Sequence, residues 1–319
     1  MNVYDFDGTI YDGDSSIDFF KFCLKRNKKV LFILPSFILA IILYIIKIKE
    51  KEYLKSKFFA FVKYVENIDK EVEIFWDVYE DKIKKIYIEN RKENDIVISA
   101  SPEFLLKPFA KKYNVTLIAT KVNNKTGELE GKNCYSEEKV LRLKKEGIIT
   151  VKKFYSDSLS DKPIANLAEN AYIVRKNKIY KWNEYKESKF KKIIKLFLDR
   201  DFVTFVAIGV VNAFNGVWLA YVYSLIVKDE IVGYILGFLT SLCISYLLNT
   251  FLNFKVNVCL KRFCNFAISN IPNFLIQIFC LLVIIKIFKL PKLVSYIITA
   301  VIAVPITYVL VKFKVFKNN

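Results

Sequence analysis

N-V-Y-D-F-D-G-T-I, residues 2–10, is the stretch that decides the fold. Residues 2–6 read as a brief buried strand followed by a turn at Asp7-Gly8, so Asp5 and Asp7 stand two apart where the strand ends. Residues i and i+2 of a strand share one face, and a turn beginning at Asp7 can re-aim its side chain. One carboxylate can then attack phosphorus in line while the other handles the leaving-group proton, which is covalent chemistry through an aspartyl-phosphate. Taken alone, D-x-D-G-T also reads as an Asx turn closing a strand. Y-S-D-S-L-S-D (155–161) adds Asp157 and Asp161 at the end of a second strand. Four carboxylates around a phosphate dianion would repel it, so the reading requires a hard cation, best Mg2+.

Working outward, helical spacing covers 17–26, with a basic end that suits a helix C-terminus. Residues 30–46 are seventeen almost uniformly apolar positions interrupted by Pro35. As a helix they reach only about 25 Å, short of a hydrocarbon core of roughly 30 Å. A segment that enters the cytoplasmic leaflet and returns fits better than a full crossing, and a buried cap helix is the alternative. From 50 to 93 a Lys/Glu-rich pattern with Phe, Tyr and Ile at three-and-four spacing predicts two amphipathic helices. Strands follow at 95–99, 115–120, 151–156 and 171–174, with a helix at 102–113 and a turn-rich excursion at 123–132. A further helix is expected at 136–146, N-capped by Ser136 and carrying Lys139 in its first turn. Strands alternating with helices predict an α/β, doubly wound parallel sheet that takes its ligand beyond the strand C-termini.

The remainder has another character. Apolar runs at 203–227, 231–252, 263–288 and 293–311 predict an all-α domain of four transmembrane helices. The expected organisation is therefore a catalytic core over 1–180 with a helical cap at about 14–92, a basic linker at 181–200, and a membrane domain over 201–319. Net charge is +18, from 50 Lys and Arg against 32 Asp and Glu. Because lysine is mixed through apolar helices, anionic membrane lipids are the expected partner and nucleic acid is not. Histidine is absent, which excludes His-based triads and His-ligated zinc or haem. The six cysteines show no C-x-x-C spacing and read as small hydrophobes. No basic n-region precedes the first strand, so the catalytic domain is expected in the cytoplasm. Lys255, Lys261, Arg262 and the basic tail then fall inside, while Lys286, Lys289 and Lys292 run against the positive-inside rule.

These positions resemble the haloacid dehalogenase superfamily of phosphatases, in the subclass with a helical cap after the first strand. D-F-D-G-T (5–9), I-V-I-S-A-S (96–101), Lys139 and Y-S-D-S-L-S-D (155–161) match its four motifs in order. The resemblance implies Asp5 as nucleophile, Asp7 as general acid and base, and Thr9 and Ser99 at the substrate phosphate. Lys139 would offset negative charge on phosphate and nucleophile. Asp5, Asp7 (through its carbonyl as well) and Asp157 would hold Mg2+, and Asp161 would orient Lys139 or a metal-bound water. Ser156 stands where the family usually has Gly, and Pro163 where it often has another small or apolar residue. Lys132, the rival to Lys139, sits inside the turn-rich excursion and reads as a surface lysine.

The membrane half resembles the GtrA-like family of small four-span proteins linked to polyprenyl-phosphate sugars. The matching stretches are F-V-A-I-G-V-V-N-A-F-N (205–215) and S-Y-L-L-N-T-F-L-N-F (245–254). Thr204 stands where an Arg usually opens the first stretch, with Arg200 one turn earlier. Asn212, Asn215 and Asn249 are the candidate polar site there, because an amide facing acyl chains is costly without a partner. The two resemblances together imply a multi-pass membrane enzyme acting on a lipid-linked phosphate. A phosphorylated polyprenyl-phosphate sugar is the favoured substrate, with phosphatidylglycerophosphate as an alternative. The other readings are a translocator or accessory subunit for polyprenyl-linked sugars, and a tethered phosphatase for a soluble metabolite. A glycosyltransferase or a second copy of the chain is the expected protein partner.

Overall fold

The computed structural model describes residues 1–188, 193–194, 196–227, 230–286, 298, 302 and 304–316. The chain divides into two units, Met1–Tyr44 with Lys49–Lys186, and Ile45–Ile48 with Glu187–Asn319. The chain thus visits the second unit briefly before its main entry.

The first unit is built on a six-stranded sheet ordered β3-β2-β1-β4-β5-β6. The strands are β1 (Asn2–Tyr4), β2 (Ile96–Pro102), β3 (Thr116–Thr120), β4 (Val151–Ser156), β5 (Ala168–Arg175) and β6 (Lys178–Lys181). The first five pair in parallel, as the alternation of strand and helix predicts. The purely parallel sheet needs correction at its edge, because β6 pairs antiparallel with β5. A hairpin turn with Lys176 in left-handed conformation (φ 53) joins them. Strand order reverses between β1 and β4, so their C-terminal ends open the crevice where such sheets take ligands.

Everything between β1 and β2 is helical. It comprises α1 (Ser15–Arg26), a 3-10 turn at Lys28–Ile33, α2 (Leu34–Ile45), α3 (Lys51–Phe59), α4 (Ile68–Tyr79) and α5 (Lys85–Asn90). The two long helices expected over 50–93 are instead three, separated by 3-10 turns at Ala60–Tyr64 and Glu80–Lys82. Asn67 marks one break, because its side chain accepts from Lys70 N and starts α4 afresh. Phe19, Phe22, Phe61, Phe75 and Trp76 fill the interior of this insertion and continue into the core of the sheet through Phe6 and Phe109. The excursion at 123–130 docks on α3. Gly127 (φ +74) lies so close to the Phe59 backbone that a Cβ would collide there, and Leu129 N donates to Ser56 Oγ at 3.2 Å. α6 (Glu103–Tyr113) packs with this insertion on the same face, and the sheet's other flank carries α7 (Glu137–Lys145) and the short α8 (Lys162–Ala165).

Among the described residues, three helices are long and apolar enough to cross a membrane: Lys28–Ile45, Arg200–Val227 and Ile235–Asn253. This corrects the expected four spans, all placed after 201. The first candidate lies in the catalytic unit, and most of the expected span at 293–311 lies outside the described residues. Chain connectivity limits that first candidate. β1 precedes it, and β2 and β4, which flank β1 in one sheet, follow it. Both its ends must therefore face the same side of a membrane, and no second candidate between 46 and 95 carries the chain back. Val30 and Ile33 are buried in the catalytic core, whereas α2 exposes Leu34, Ile38, Leu39 and Ile42.

In the second unit, α9 (Arg200–Val227) packs against α10 (Glu230–Leu248), which ends in a π-helical turn at Asn249–Asn253. The run at 263–288 forms α11 (Leu260–Lys286), and a helical segment at 304–310 closes with a second π turn at Val311–Val315.

Candidate active site

β1 ends at Tyr4, and Asp5 N still donates to Tyr155 O of β4 at 2.9 Å. That bond fixes Asp5 at the C-terminal edge of the sheet, beside the point where β4 releases Asp157. Lys139 Nζ reaches Asp5 Oδ1 at 2.8 Å and Asp161 Oδ2 at 2.9 Å, with all three residues buried. Burial opposes the lysine's charge, but the two carboxylates outweigh it and hold Lys139 protonated well above its usual range. Asp5 is pushed up to about 7, chiefly by burial and against the pull of Lys139. Ser156, where the family pattern has Gly, donates its hydroxyl to Asp161 Oδ2 at 2.8 Å. It also accepts from Ser158 N at 3.0 Å, so the departure from the motif braces the acid that holds the lysine. Lys139 sits where its helix predicts, but the expected cap does not form. Ser136 has a left-handed backbone (φ 51) and makes no side-chain capping bond to the first turn of α7. Lys132 is exposed, as a surface lysine should be.

Asp7 faces elsewhere. Its Oδ1 accepts from Ser15 N at the start of α1 at 2.7 Å, and its Oδ2 accepts from the Ser101 hydroxyl. Burial, then the nearby Asp14, pushes its carboxyl up to about 6, against those hydrogen bonds. Asp5 and Asp7 thus sit in different environments, one against an ammonium and one among hydroxyls, as division of labour between two carboxylates requires. Ser99 is buried, and its Oγ accepts from Ser101 N at 3.0 Å across the irregular end of β2. Ser101 lies in the I-V-I-S-A-S stretch, but nothing in that pattern distinguishes it from Ser99 as the partner of Asp7. Lys55 of α3 was also not foreseen. Its ammonium donates to Ala100 O at 2.9 Å and to Asn133 Oδ1 at 2.8 Å, and burial lowers its pKa to about 8.

Thr9 is buried, and its hydroxyl oxygen accepts from Asp157 N at 2.8 Å, tying the first motif to the fourth. The Asp157 side chain lies against Gly8 (φ +72), where a Cβ would run into its carboxylate. Burial raises the Asp157 pKa, against the pull of Arg175, whose Nη1 stands 3.9 Å from the carboxylate. Lys84, whose pKa burial lowers, donates to Gly8 O and stands 3.8 Å from Asp12. The donor set suits a hard cation, since the Asp5 and Asp157 carboxylates and the Asp7 carbonyl are all oxygen ligands. Among the described residues no group of three acids, cysteines or histidines gathers as a metal cluster. The Asp7 carboxylate is engaged with Ser15 and Ser101, so an ion here would be held by two carboxylates and a carbonyl.

The asparagines of the second unit find separate partners. Asn212 Oδ1 accepts from Ser241 Oγ at 2.8 Å, bridging α9 and α10. Asn249 is buried and donates to Ser245 O at 3.0 Å while accepting from Asn253 Nδ2 at 3.3 Å. Asn215 is half-buried on α9.

A parallel sheet with acids at the carboxyl ends of two adjacent strands, and a buried lysine between acids, is the arrangement that the four sequence motifs lead one to expect of a hydrolase. The haloacid dehalogenase-like hydrolase family model matches residues 3–166, about half of the chain, and the chain belongs to that family. The GtrA/DPMS transmembrane domain model matches residues 204–316. The protein is thus a HAD-like hydrolase domain of phosphatase type fused to a GtrA-family membrane domain, a multi-pass arrangement consistent with a cytoplasmic catalytic face. Two solved structures are similar over about half of the chain. A protein of unknown function from Bordetella pertussis Tohama I is 19% identical, covering 54% of this chain and 87% of that one with a TM-score of 0.45. A phosphoserine phosphohydrolase-like protein from Francisella tularensis subsp. tularensis SCHU S4 is 17% identical, covering 54% and 86% with a TM-score of 0.37. No curated protein matches.

Proposed function

We propose that this chain is a Mg2+-dependent phosphomonoesterase that acts on a membrane lipid phosphate at the cytoplasmic face. A phosphorylated polyprenyl-phosphate sugar is the favoured substrate. The reading rests on one observation above others: Lys139 is buried and bonded to Asp5 at 2.8 Å and to Asp161 at 2.9 Å. A lysine so placed favours the Asp5 anion against the effect of burial and receives the negative charge that a phosphoryl group brings.

In the reaction, an Asp5 carboxylate oxygen attacks phosphorus and the bond to the lipid oxygen breaks. Asp7 gives its proton to the departing alkoxide. Water then attacks the aspartyl-phosphate, Asp7 takes a proton from it, and inorganic phosphate leaves with Asp5 regenerated. Ser99 and neighbouring backbone N–H groups bind the transferring phosphoryl oxygens. Thr9 steadies the loop that carries Asp157. Asp5, Asp157 and the Asp7 carbonyl would hold Mg2+, which would supply the charge neutralisation that lets a dianion approach these acids.

The helical insertion is the family's cap, and α2 is its membrane contact. As an α-helix of 12 residues it reaches about 18 Å, enough for one leaflet and not for a bilayer. It enters the cytoplasmic leaflet and returns, while the membrane domain after 201 holds the enzyme at the surface where its substrate lies.

The test is hydrolysis of a phosphate monoester series on one headgroup with increasing chain length, alongside a small soluble ester. The reading expects kcat/KM to rise with chain length and Asp5→Asn to release no phosphate while remaining folded. Equal kcat/KM across the series would remove the lipid assignment, and turnover by Asp5→Asn would remove the nucleophile.

A further inference from the structure

The second unit contains a cavity of about 340 Å3 lined by Lys47, Asp201, Asn253, Phe254, Lys255, Lys312, Phe313 and Phe316. Its position in the fold is specific. Asp201 begins one candidate span, Arg200–Val227, and Asn253 ends the next, Ile235–Asn253. The cavity therefore sits where both helices leave the apolar layer on one side, at the depth of lipid headgroups.

Its lining is cationic and aromatic together. Three ammonium groups face one carboxylate in the wall. Asp199, which bonds Lys312 at 3.0 Å from outside the lining, still leaves three positive charges against two negative. Lys47 bonds Asp201 at 2.6 Å and Asn253 Oδ1 at 3.2 Å, and Lys312 bonds Asp201 at 3.1 Å. Lys255 pairs with no carboxylate among the described residues. Two of these lysines are held in unusual backbone. Lys47 has φ 60 and Lys255 φ 50, a left-handed conformation that is unfavourable for a side-chain-bearing residue. Strain of this kind persists where the surroundings over-determine it and gathers at ligand sites. Lys47 comes from the four-residue visit of Ile45–Ile48 to this unit.

We infer that this cavity binds the phosphate of an anionic lipid headgroup. Lys255 supplies the uncommitted charge, Lys47 and Lys312 supply donors released in part from Asp201, and Phe254, Phe313 and Phe316 meet the glycerol or first chain carbons. The volume suits a headgroup rather than a whole lipid. No residue of the hydrolytic site lines it.

The test is lipid binding to the purified full chain by native mass spectrometry from an uncharged detergent, in the Asp5→Asn background. The probes are dioctanoyl phosphatidylglycerol, dioctanoyl phosphatidylcholine and inorganic phosphate. Phosphatidylglycerol, a diester that cannot be hydrolysed as a monoester, is expected to occupy one saturable site that phosphatidylcholine does not fill. Lys255→Gln should weaken that binding about tenfold, whereas Lys261→Gln, an equal loss of charge outside the cavity, should not. Lys255→Gln should also leave hydrolysis of a small soluble ester unchanged in otherwise native enzyme, which separates this inference from the catalytic reading. Equal weakening by both variants, or equal binding of the two lipids, overturns the site. Displacement of phosphatidylglycerol by inorganic phosphate at equal concentration overturns the lipid headgroup as its ligand.

Discussion

Lys139 Nζ lies 2.8 Å from Asp5 Oδ1 in a pocket that leaves both side chains nearly free of solvent. The ammonium is the shared counter-charge of two acids, because Asp161 bonds it from the other side. Lys139→Met should therefore do more than slow the reaction. It strands two buried carboxylates, and removing one partner of such a group costs about 3–5 kcal/mol. Turnover should drop by about 10^2–10^3-fold as well, the usual loss when a charge aimed at the transition state is removed. Asp5→Asn, by contrast, should abolish turnover with a smaller change in thermal unfolding. Parallel melting and phosphate-release measurements on both variants check the contrast, and equal stability would deny the lysine its double role.

The proton on Asp7 sets a pH limit. A general acid works only while protonated, and this carboxyl is pushed up to about 6 by burial and by Asp14. The protonated fraction disappears as pH rises through that value, so kcat/KM should decline on the alkaline side of about 6. Ser101 donates to the ionised carboxylate and so favours it. Ser101→Ala removes that preference and should move the alkaline limb upward by about one unit, the equivalent of one charge-assisted hydrogen bond. A pH profile of kcat/KM for the two proteins measures the displacement. A limb that moves downward would contradict the assignment of the acid.

Gly8 and Gly147 offer a controlled comparison. Both have left-handed backbone, φ +72 and φ +75, but a Cβ on Gly8 meets the Asp157 carboxylate while one on Gly147 meets open space. Each change to Ala carries roughly 1–2 kcal/mol of backbone strain. Only Gly8→Ala also displaces Asp157, so only it should raise the Mg2+ concentration needed for half-maximal rate. Titration of activity with Mg2+ in both variants distinguishes strain from loss of a ligand.

Ser156 carries a prediction drawn from its bond to Asp161. Ser156→Ala removes the donor from a buried carboxylate whose other oxygen already lacks a hydrogen-bond partner among the described residues. The expected cost is about 1–3 kcal/mol in unfolding free energy. Ser156→Gly, which restores the usual family residue, should lose as much, because the missing element is the hydroxyl. Denaturant titration of the three proteins decides this.

The same residue marks the limit of what the chain discloses before it is folded. Asp5, Asp7 and the alternation of strands with helices are legible because each is a local pattern: two acids at a strand end, or a period of apolar positions. The edge strand β6 has no clear signal because it is four residues long, flanked by lysines and mostly exposed, so Lys178–Lys181 merges with the basic stretch that follows it. The partnership of Ser156 with Asp161 and of Ser101 with Asp7 depends on side-chain directions that no spacing specifies. Ser136 satisfies every compositional rule for a cap, yet its left-handed backbone rules out the bond. The break of 50–93 into three helices follows from Asn67 capping a new start, a signal present in the sequence but weaker than the surrounding periodicity.

The final prediction concerns α2, where sequence pattern and chain connectivity agree. Ile38 and Ile42 are one turn apart and exposed, on a helix whose two ends must face the same side of any membrane. Burying such side chains in acyl chains contributes about 1.5–3 kcal/mol each. Replacing both with Asp should weaken engagement of the leaflet and lower kcat/KM on a vesicle-embedded long-chain phosphate by about tenfold or more. Neither residue contributes to the core around Phe19 and Phe75. Hydrolysis of a small soluble ester in detergent should therefore remain within about twofold of the native rate, as expected for surface substitutions. Equal losses on both substrates would mean that α2 supports the catalytic fold itself, and the proposed entry into the leaflet would fail.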